Sequence, residues 1–140
     1  MKKVIFIAIL LFSIASIAQT ETIAGTYIMK LKSSNASFED TLILNADGTF
    51  TFHEHDWHEG GIPPERDKYG KGQWRIENNI VYFSTEESEI DDKFTLDFSN
   101  SQARYITKSP RDQSDRIIPT SLQFYQSDFF WMVKRKLVKQ

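Results

Sequence analysis

Apolar and polar residues alternate with a period of two along most of the chain, and turn residues interrupt the alternation at short intervals. Tyr27, Met29 and Leu31 occupy every second position of the first such run. Side chains two residues apart on a β-strand point to the same face of the sheet, so the pattern predicts about nine strands. No segment carries a sustained apolar stripe at helical spacing, and we therefore expect little helix.

Short turns separate neighbouring runs. Asp47 and Gly48 lie between two of them, and Asn78 and Asn79 lie between two others. Asp-Gly is typical of a β-hairpin, because both central residues of such a turn favour positive φ. Strands joined by tight turns pair with their neighbours, which predicts an all-β, antiparallel up-and-down meander. Closing this meander into a β-barrel of about eight or nine strands removes its edges. A two-sheet β-sandwich is the alternative.

The start of the chain has a different pattern. Lys2 and Lys3 precede an unbroken apolar run over 4–12, and small residues follow it. This order predicts a signal peptide over 1–18, a single domain over 19–140, and a periplasmic or secreted protein. The run is shorter than the roughly 20 residues of a membrane span. No cysteine follows it, so we expect neither a membrane span nor a lipid anchor.

Composition excludes several classes of protein. The 140 residues include no cysteine, which excludes a disulfide framework, a thiol enzyme and a cysteine-ligated metal site. The formal net charge is −2, and it becomes more negative without the two leader lysines, which argues against binding to nucleic acid. Aromatic residues make up 14% of the chain, and we expect these rings to build the core.

Four short segments carry a resemblance to a known family. They are IAGTY at 23–27, LILNADGTF at 42–50, and GKGQWRI at 70–76 followed by NIVY at 79–82. The chain resembles the lipocalin-like domains of secreted bacterial proteins. This resemblance implies a lipocalin-like barrel that binds a small apolar molecule in its mouth. It also implies a closed barrel end, where Arg135 on the last predicted strand packs across the ring of Tyr27.

The alternation also predicts which side chains face the barrel interior. The candidates for ligand contact are Tyr27, Met29, Phe50, Phe52, Trp74, Tyr82, Phe98, Phe124 and Trp131, and Leu44, Phe94, Leu96 and Leu122 are expected beside them. An eight-stranded barrel is wide enough to be filled by side chains or to hold one small ligand. The number of rings favours a filled interior, and a hollow one remains the alternative.

All three histidines lie within six residues, at His53, His55 and His58. His53 and His55 share a strand face about 6.6 Å apart, and we expect His58 to lie just past the strand end. Three imidazoles with an open position are typical of a zinc or copper site. The alternatives are a pH-responsive patch or a solvated strand end without a ligand.

A long loop is expected over 56–69, and a second one over 109–119. Trp57 and Ile62 in the first loop are candidates for a lid over the barrel mouth. If both loops lie at one end of the barrel, they frame a site there.

Two functional hypotheses follow. The first is a non-enzymatic binding protein for a small apolar ligand, or an interaction module. The second is a metal-binding protein or metalloenzyme that uses the histidine cluster. Neither a serine-nucleophile motif nor a phosphate-binding glycine loop is present in the sequence.

Overall fold

Within the residues that the structure describes, the alternating runs form nine β-strands, and eight of them close into an antiparallel barrel. The computed structural model describes Thr20 and residues 22–140. The predicted signal peptide over 1–18 lies outside the described residues. The strands are β1 (Gly25–Lys32), β2 (Ala36–Leu44), β3 (Thr49–His58), β4 (Glu65–Glu77), β5 (Ile80–Ser84), β6 (Phe94–Leu96), β7 (Gln102–Ile106), β8 (Ser121–Gln126) and β9 (Lys136–Lys139), with a short 3₁₀ helix at Glu87–Glu89.

Each barrel strand pairs with its neighbour in the meander. The order β1-β2-β3-β4-β5-β7-β8-β9 returns to β1, and every pairing in this ring is antiparallel. The short strand β6 stands outside the ring and runs parallel to β4. The closed up-and-down barrel predicted from the sequence is therefore confirmed, and the sandwich is not formed.

Strand direction gives the barrel two ends. We call upper the end that carries the segments 33–35, 59–64, 85–101 and 127–135, and lower the end that carries 45–48, 78–79 and 107–120. The two loops predicted to frame one site thus lie at opposite ends. None of the helices in the described part of the chain is long and apolar enough to cross a membrane.

The two predicted hairpin turns form in different ways. Asn78 and Asn79 both have positive φ, at 51° and 61°, as a two-residue turn requires. In the other hairpin only Gly48 has positive φ, at 88°, and its amide donates to the Asn45 carbonyl. The turn therefore includes the two residues before Asp47, and the expectation that Asp47 itself has positive φ was wrong.

The long loop predicted over 56–69 is mostly strand. β3 extends to His58 and β4 begins at Glu65, so the turn is only 59–64. Pairing with β2 explains the extension, because Ala36 is the ladder partner of His58. The last predicted strand is shorter than expected, since 129–134 forms turns before β9 begins.

Aromatic rings pack against one another through the middle of the barrel. Phe50 and Phe52 lie 5.2 and 5.0 Å from Phe98, measured between ring centroids. Gly70 faces the same ring, and a Cβ atom there would lie 2.6 Å from it. The glycine thus makes room for the phenyl group. The sixteen buried apolar residues of the core are Ile23, Tyr27, Leu42, Leu44, Phe50, Phe52, Trp74, Val81, Phe83, Leu96, Phe98, Ala103, Leu122, Phe124, Met132 and Leu137.

Candidate functional site on the two faces of the β3–β4 hairpin

Most residues predicted to face the interior do so. Those that are buried are Tyr27, Leu44, Phe50, Phe52, Trp74, Leu96, Phe98, Leu122 and Phe124. Met29 and Trp131 are half-buried and pack against this core. Phe94 is half-buried on the outer face instead: it is the ladder partner of Tyr69, which stacks on the outward-facing His53, and its ring lies 6.0 Å from that of Tyr69. The expectation that Phe94 faces the interior was wrong.

Tyr82 lies on the outer wall, contrary to the expectation. It alternates with the buried Val81 and Phe83, and its ladder partner is Arg75. The Arg75 guanidinium lies 4.1 Å from the centroid of the Tyr82 ring. The two side chains border a half-open depression of about 300 Å³ on the barrel surface. β5 is apolar on both faces, so alternation alone could not decide which face is buried.

Three carboxylates continue the inward-facing rows above the rings. Asp40 follows the inward row of Leu42 on β2, and Glu54 and Asp56 follow that of Phe52 on β3. All three are buried, and Asp40 has no exposed surface. This group was not among the residues predicted from the sequence. The signal was present in the alternation, because each carboxylate stands an even number of residues from a predicted core position.

Two basic side chains compensate the buried carboxylates in part. Nη1 of Arg135 donates to Oδ2 of Asp40 and, at 2.7 Å, to Oε2 of Glu54. Nζ of Lys68 donates to Oε1 of Glu54 at 3.0 Å. Two oxygens of these carboxylates remain without a hydrogen-bond partner among the described residues, Oδ1 of Asp40 and Oδ1 of Asp56. A buried acceptor without a donor lowers the stability of the folded state. These two oxygens therefore mark the place in the interior where hydrogen-bond donors are missing.

Burial controls the titration of Asp40. Desolvation raises the pKa of its carboxyl to about 6, against the lowering effect of the Arg135 guanidinium. The nearby Glu54 carboxylate raises this pKa further and Lys68 lowers it. A carboxyl group with such a pKa changes its charge close to neutral pH.

Trp131 covers the charged group from the upper end. The Arg135 guanidinium lies 4.6 Å from the centroid of its ring, and Nζ of Lys68 lies 5.2 Å from it. The expected contact between Arg135 and Tyr27 is therefore replaced by one with Trp131. The ladder gives the reason: Tyr27 pairs with Lys139, four residues beyond Arg135 and so about 13 Å further along β9. The Tyr27 hydroxyl donates instead to the Ile23 carbonyl.

The outer face of the same hairpin brings His53 and His55 together with Asp67. Nε2 of His53 lies 2.7 Å and Nδ1 of His55 lies 2.9 Å from the same oxygen, Oδ1 of Asp67. One possible ligand atom from each residue lies within 4.8 Å of the other two. Asp67 is the ladder partner of His55 on β4. Asp67 was not predicted as part of the cluster, because the charged run 65–68 was expected to lie in a loop.

His58 does not join this cluster. Because β3 continues through His58, its side chain alternates to the face opposite His53 and His55. Its Nε2 lies 3.6 Å from Oδ2 of Asp56, and its ring makes an edge contact with Phe38. The expectation that His58 follows the strand end was wrong, and so was the predicted set of three histidines.

The expected lid is not formed either. Trp57 lies within β3 and, by alternation, on the outer face with His53 and His55. Ile62 lies in the turn 59–64 and is 92% exposed, so it covers no other part of the barrel.

Hydrogen bonds set the pKa shifts of the outer cluster. The bonds from His53 and His55 lower the pKa of Asp67, and the bond to Asp67 raises the pKa of His55. Each of these side chains is about two-fifths exposed. The cluster is thus open to solvent, unlike the carboxylates on the inner face.

No known protein family, curated protein or solved structure matches the chain. The β-barrel therefore rests on the structure itself, and the lipocalin-like family remains an expectation from the sequence.

Proposed function

We propose that the chain is a secreted, lipocalin-like binding protein, and that its barrel takes a small molecule with an apolar body and a positively charged donor group. The observation that carries this proposal is the pair of buried carboxylate oxygens on Asp40 and Asp56 that have no donor. Both belong to inward-facing residues in the upper half of the barrel.

A bound ammonium group would supply what these oxygens lack. Buried acceptors in proteins are almost always hydrogen-bonded, and an ammonium group offers three donors. Three carboxylates face the two cationic side chains Arg135 and Lys68, and His58 lies beside Asp56. With an uncharged His58 imidazole, the ionised group has an excess of negative charge. This excess favours a cationic ligand over an anionic one.

Apolar side chains at the upper end favour a ligand that also has an apolar body. Met29 and Trp131 are half-buried beside the core. Leu31, Ile62 and Phe130 are exposed at this end of the barrel, and Phe130 is 89% exposed. Exposed apolar surface at the mouth of a barrel suits the binding of an apolar ligand body. The purely apolar ligand expected from the sequence is thereby narrowed to one with a donor group.

A matched pair of fluorescent probes tests the proposal. Dansylcadaverine carries a primary ammonium group, and N-pentyl-dansylamide has the same ring and chain without it. We expect the ammonium probe to bind at least tenfold more tightly, because a charged hydrogen bond contributes about 1.5–3 kcal/mol. Binding is measured as energy transfer from tryptophan to the dansyl group. Trp74 and Trp57 also transfer energy to a bound dansyl group, so we expect W131F to lower the transfer more than W57F, because Trp131 lies beside the proposed site.

Two carboxamide variants locate the contact. D56N should abolish the preference for the ammonium probe, whereas D92N, at an exposed turn, should retain it. Absence of binding by both probes would contradict the proposed function. Equal binding of the two probes would contradict the assigned role of the carboxylates.

A further inference from the structure

We propose that His53, His55 and Asp67 form a binding site for a divalent transition metal ion, with zinc as the favoured ion. The site lies on the outer face of the β3–β4 hairpin and is independent of ligand binding inside the barrel. Two imidazole nitrogens and one carboxylate oxygen are a donor set that suits zinc and its neighbours in the first transition row.

The distances are close to those of a bound ion. Donor atoms around a tetrahedral zinc ion lie about 3.4 Å apart. The two imidazole nitrogens are now 2.7 and 2.9 Å from Oδ1 of Asp67, and no two of the three donor atoms are more than 4.8 Å apart. Small side-chain rotations can therefore open the space for an ion, without movement of the backbone.

The hairpin holds these side chains in place before an ion binds. Nine ladder pairs join β3 to β4, and His55 lies directly opposite Asp67. The ring of His53 stacks on Tyr69, its own ladder partner, with centroids 4.5 Å apart and planes inclined by 1°. A pre-oriented donor set loses less conformational entropy on binding than a flexible one.

The surroundings favour a cation and leave room for an exchangeable ligand. Glu39, the ladder partner of His55 on the other side of β3, is paired with Lys30. Glu65 stands two residues before Asp67 on β4 and so on the same face, where it adds a negative charge. The three donors are about two-fifths exposed. A zinc ion held by three protein ligands keeps a water or another small ligand in its fourth position.

A zinc titration of the untagged, full-length protein tests the site. The protein is first dialysed against a chelator, and zinc chloride is then added in competition with a chromophoric chelator. We expect one zinc ion per chain. H53A, H55A and D67A should each weaken zinc binding at least tenfold, because each removes one of three ligands.

H58A is the matched control. This histidine belongs to the same sequence run but faces the other side of the strand, so its replacement should change zinc affinity less than twofold. Zinc that binds equally well to all four variants would overturn the proposal, and so would an H58A loss as large as that of the other histidine variants. Far-UV circular dichroism and thermal melting establish that each variant is folded.

Cobalt provides a second readout. Tetrahedral coordination gives cobalt(II) intense visible absorption, and D67N keeps the size of the side chain and its ability to accept hydrogen bonds. We expect the wild-type spectrum to be lost or strongly shifted in D67N and to be retained in H58A. An unchanged spectrum in D67N would exclude Asp67 as a ligand, even if D67A fails to fold. Failure of the dansyl probes to bind would leave this result unaffected, since the two sites share no residue.

Discussion

The two faces of the β3–β4 hairpin carry charged groups from alternate positions of the same strand. The groups on the inner face are buried, and those on the outer face are exposed to solvent. Glu54 and Asp56 face the interior and are buried; Arg135 and Lys68 pair with Glu54, and His58 lies beside Asp56. His53 and His55 face outward and share the carboxylate of Asp67 in solvent. A shift of one residue along the strand separates the two environments.

The difference in burial between the two faces shifts the pKa values of their carboxyl groups in opposite directions. On the inner side burial raises the pKa of Asp40 to about 6, although a guanidinium group is bonded to it. On the outer side hydrogen bonds lower the pKa of Asp67. Desolvation dominates inside and local hydrogen bonding dominates outside. The inner charges therefore depend on one another for stability, and the outer ones do not.

Removal of Arg135 should have the largest effect. R135M leaves Asp40 and Glu54 buried without their shared donor, and we expect it to lower the free energy of unfolding by about 3–5 kcal/mol at pH 7.5. Urea unfolding followed by circular dichroism measures this change. The additional replacements D40N and E54Q should recover much of it, because they remove the uncompensated charges.

The exposed pair of Arg75 and Glu77 provides the control for Arg135. Their side chains are about two-thirds exposed, so R75M should cost no more than about 1 kcal/mol. An R135M variant as stable as R75M would show that the inner carboxylates do not need a counter-charge.

The second effect concerns the pH dependence of stability. The pKa of Asp40 is about 6 in the folded barrel against an ordinary value of 3.8, so the folded state holds the proton more tightly. Between these values the folded state binds more protons than the unfolded chain, and stability therefore decreases as the pH rises through this window. The loss amounts to roughly 3 kcal/mol when the window is crossed completely.

Comparison with D40N isolates this contribution. Asparagine does not titrate, and the acidic groups remote from Asp40 contribute equally to both proteins. We expect the unfolding free energy of the wild type to fall relative to that of D40N between about pH 4 and pH 7. Urea titrations at half-unit pH steps measure the difference, and a difference that stays constant with pH would contradict the raised pKa.

The fold could be predicted from the sequence because barrel formation depends on a repeated local signal. Alternation, short turns and the absence of helical stripes recur along the chain, and an error in one strand leaves the others unchanged. Strand ends were predicted less well. β3 was expected to end at about His55, before the loop predicted over 56–69, but pairing with β2 carries it to His58.

The candidate sites could be predicted only in part, because both depend on register. His53 and His55 share a face by alternation alone. Asp67 joins them through its position on β4, which depends on the length of the intervening turn. The inner carboxylates were missed because acidic residues are usually exposed, and the compensating Arg135 is 95 residues from Asp40 in sequence.

The smallest effect is expected on the outer face. D67N removes the charge that His53 and His55 share, but these side chains are about two-fifths exposed, and we expect a loss of less than about 1 kcal/mol in metal-free buffer. Urea unfolding at pH 7.5 measures this loss, with E77Q as the exposed control.

Added zinc should raise the unfolding midpoint of the wild type, because an ion that binds only the folded state stabilises it. The midpoint of D67N should rise much less. A loss comparable to that of R135M without metal would mean that the outer cluster holds the hairpin together as the inner one does, and the contrast between the two faces would then be wrong.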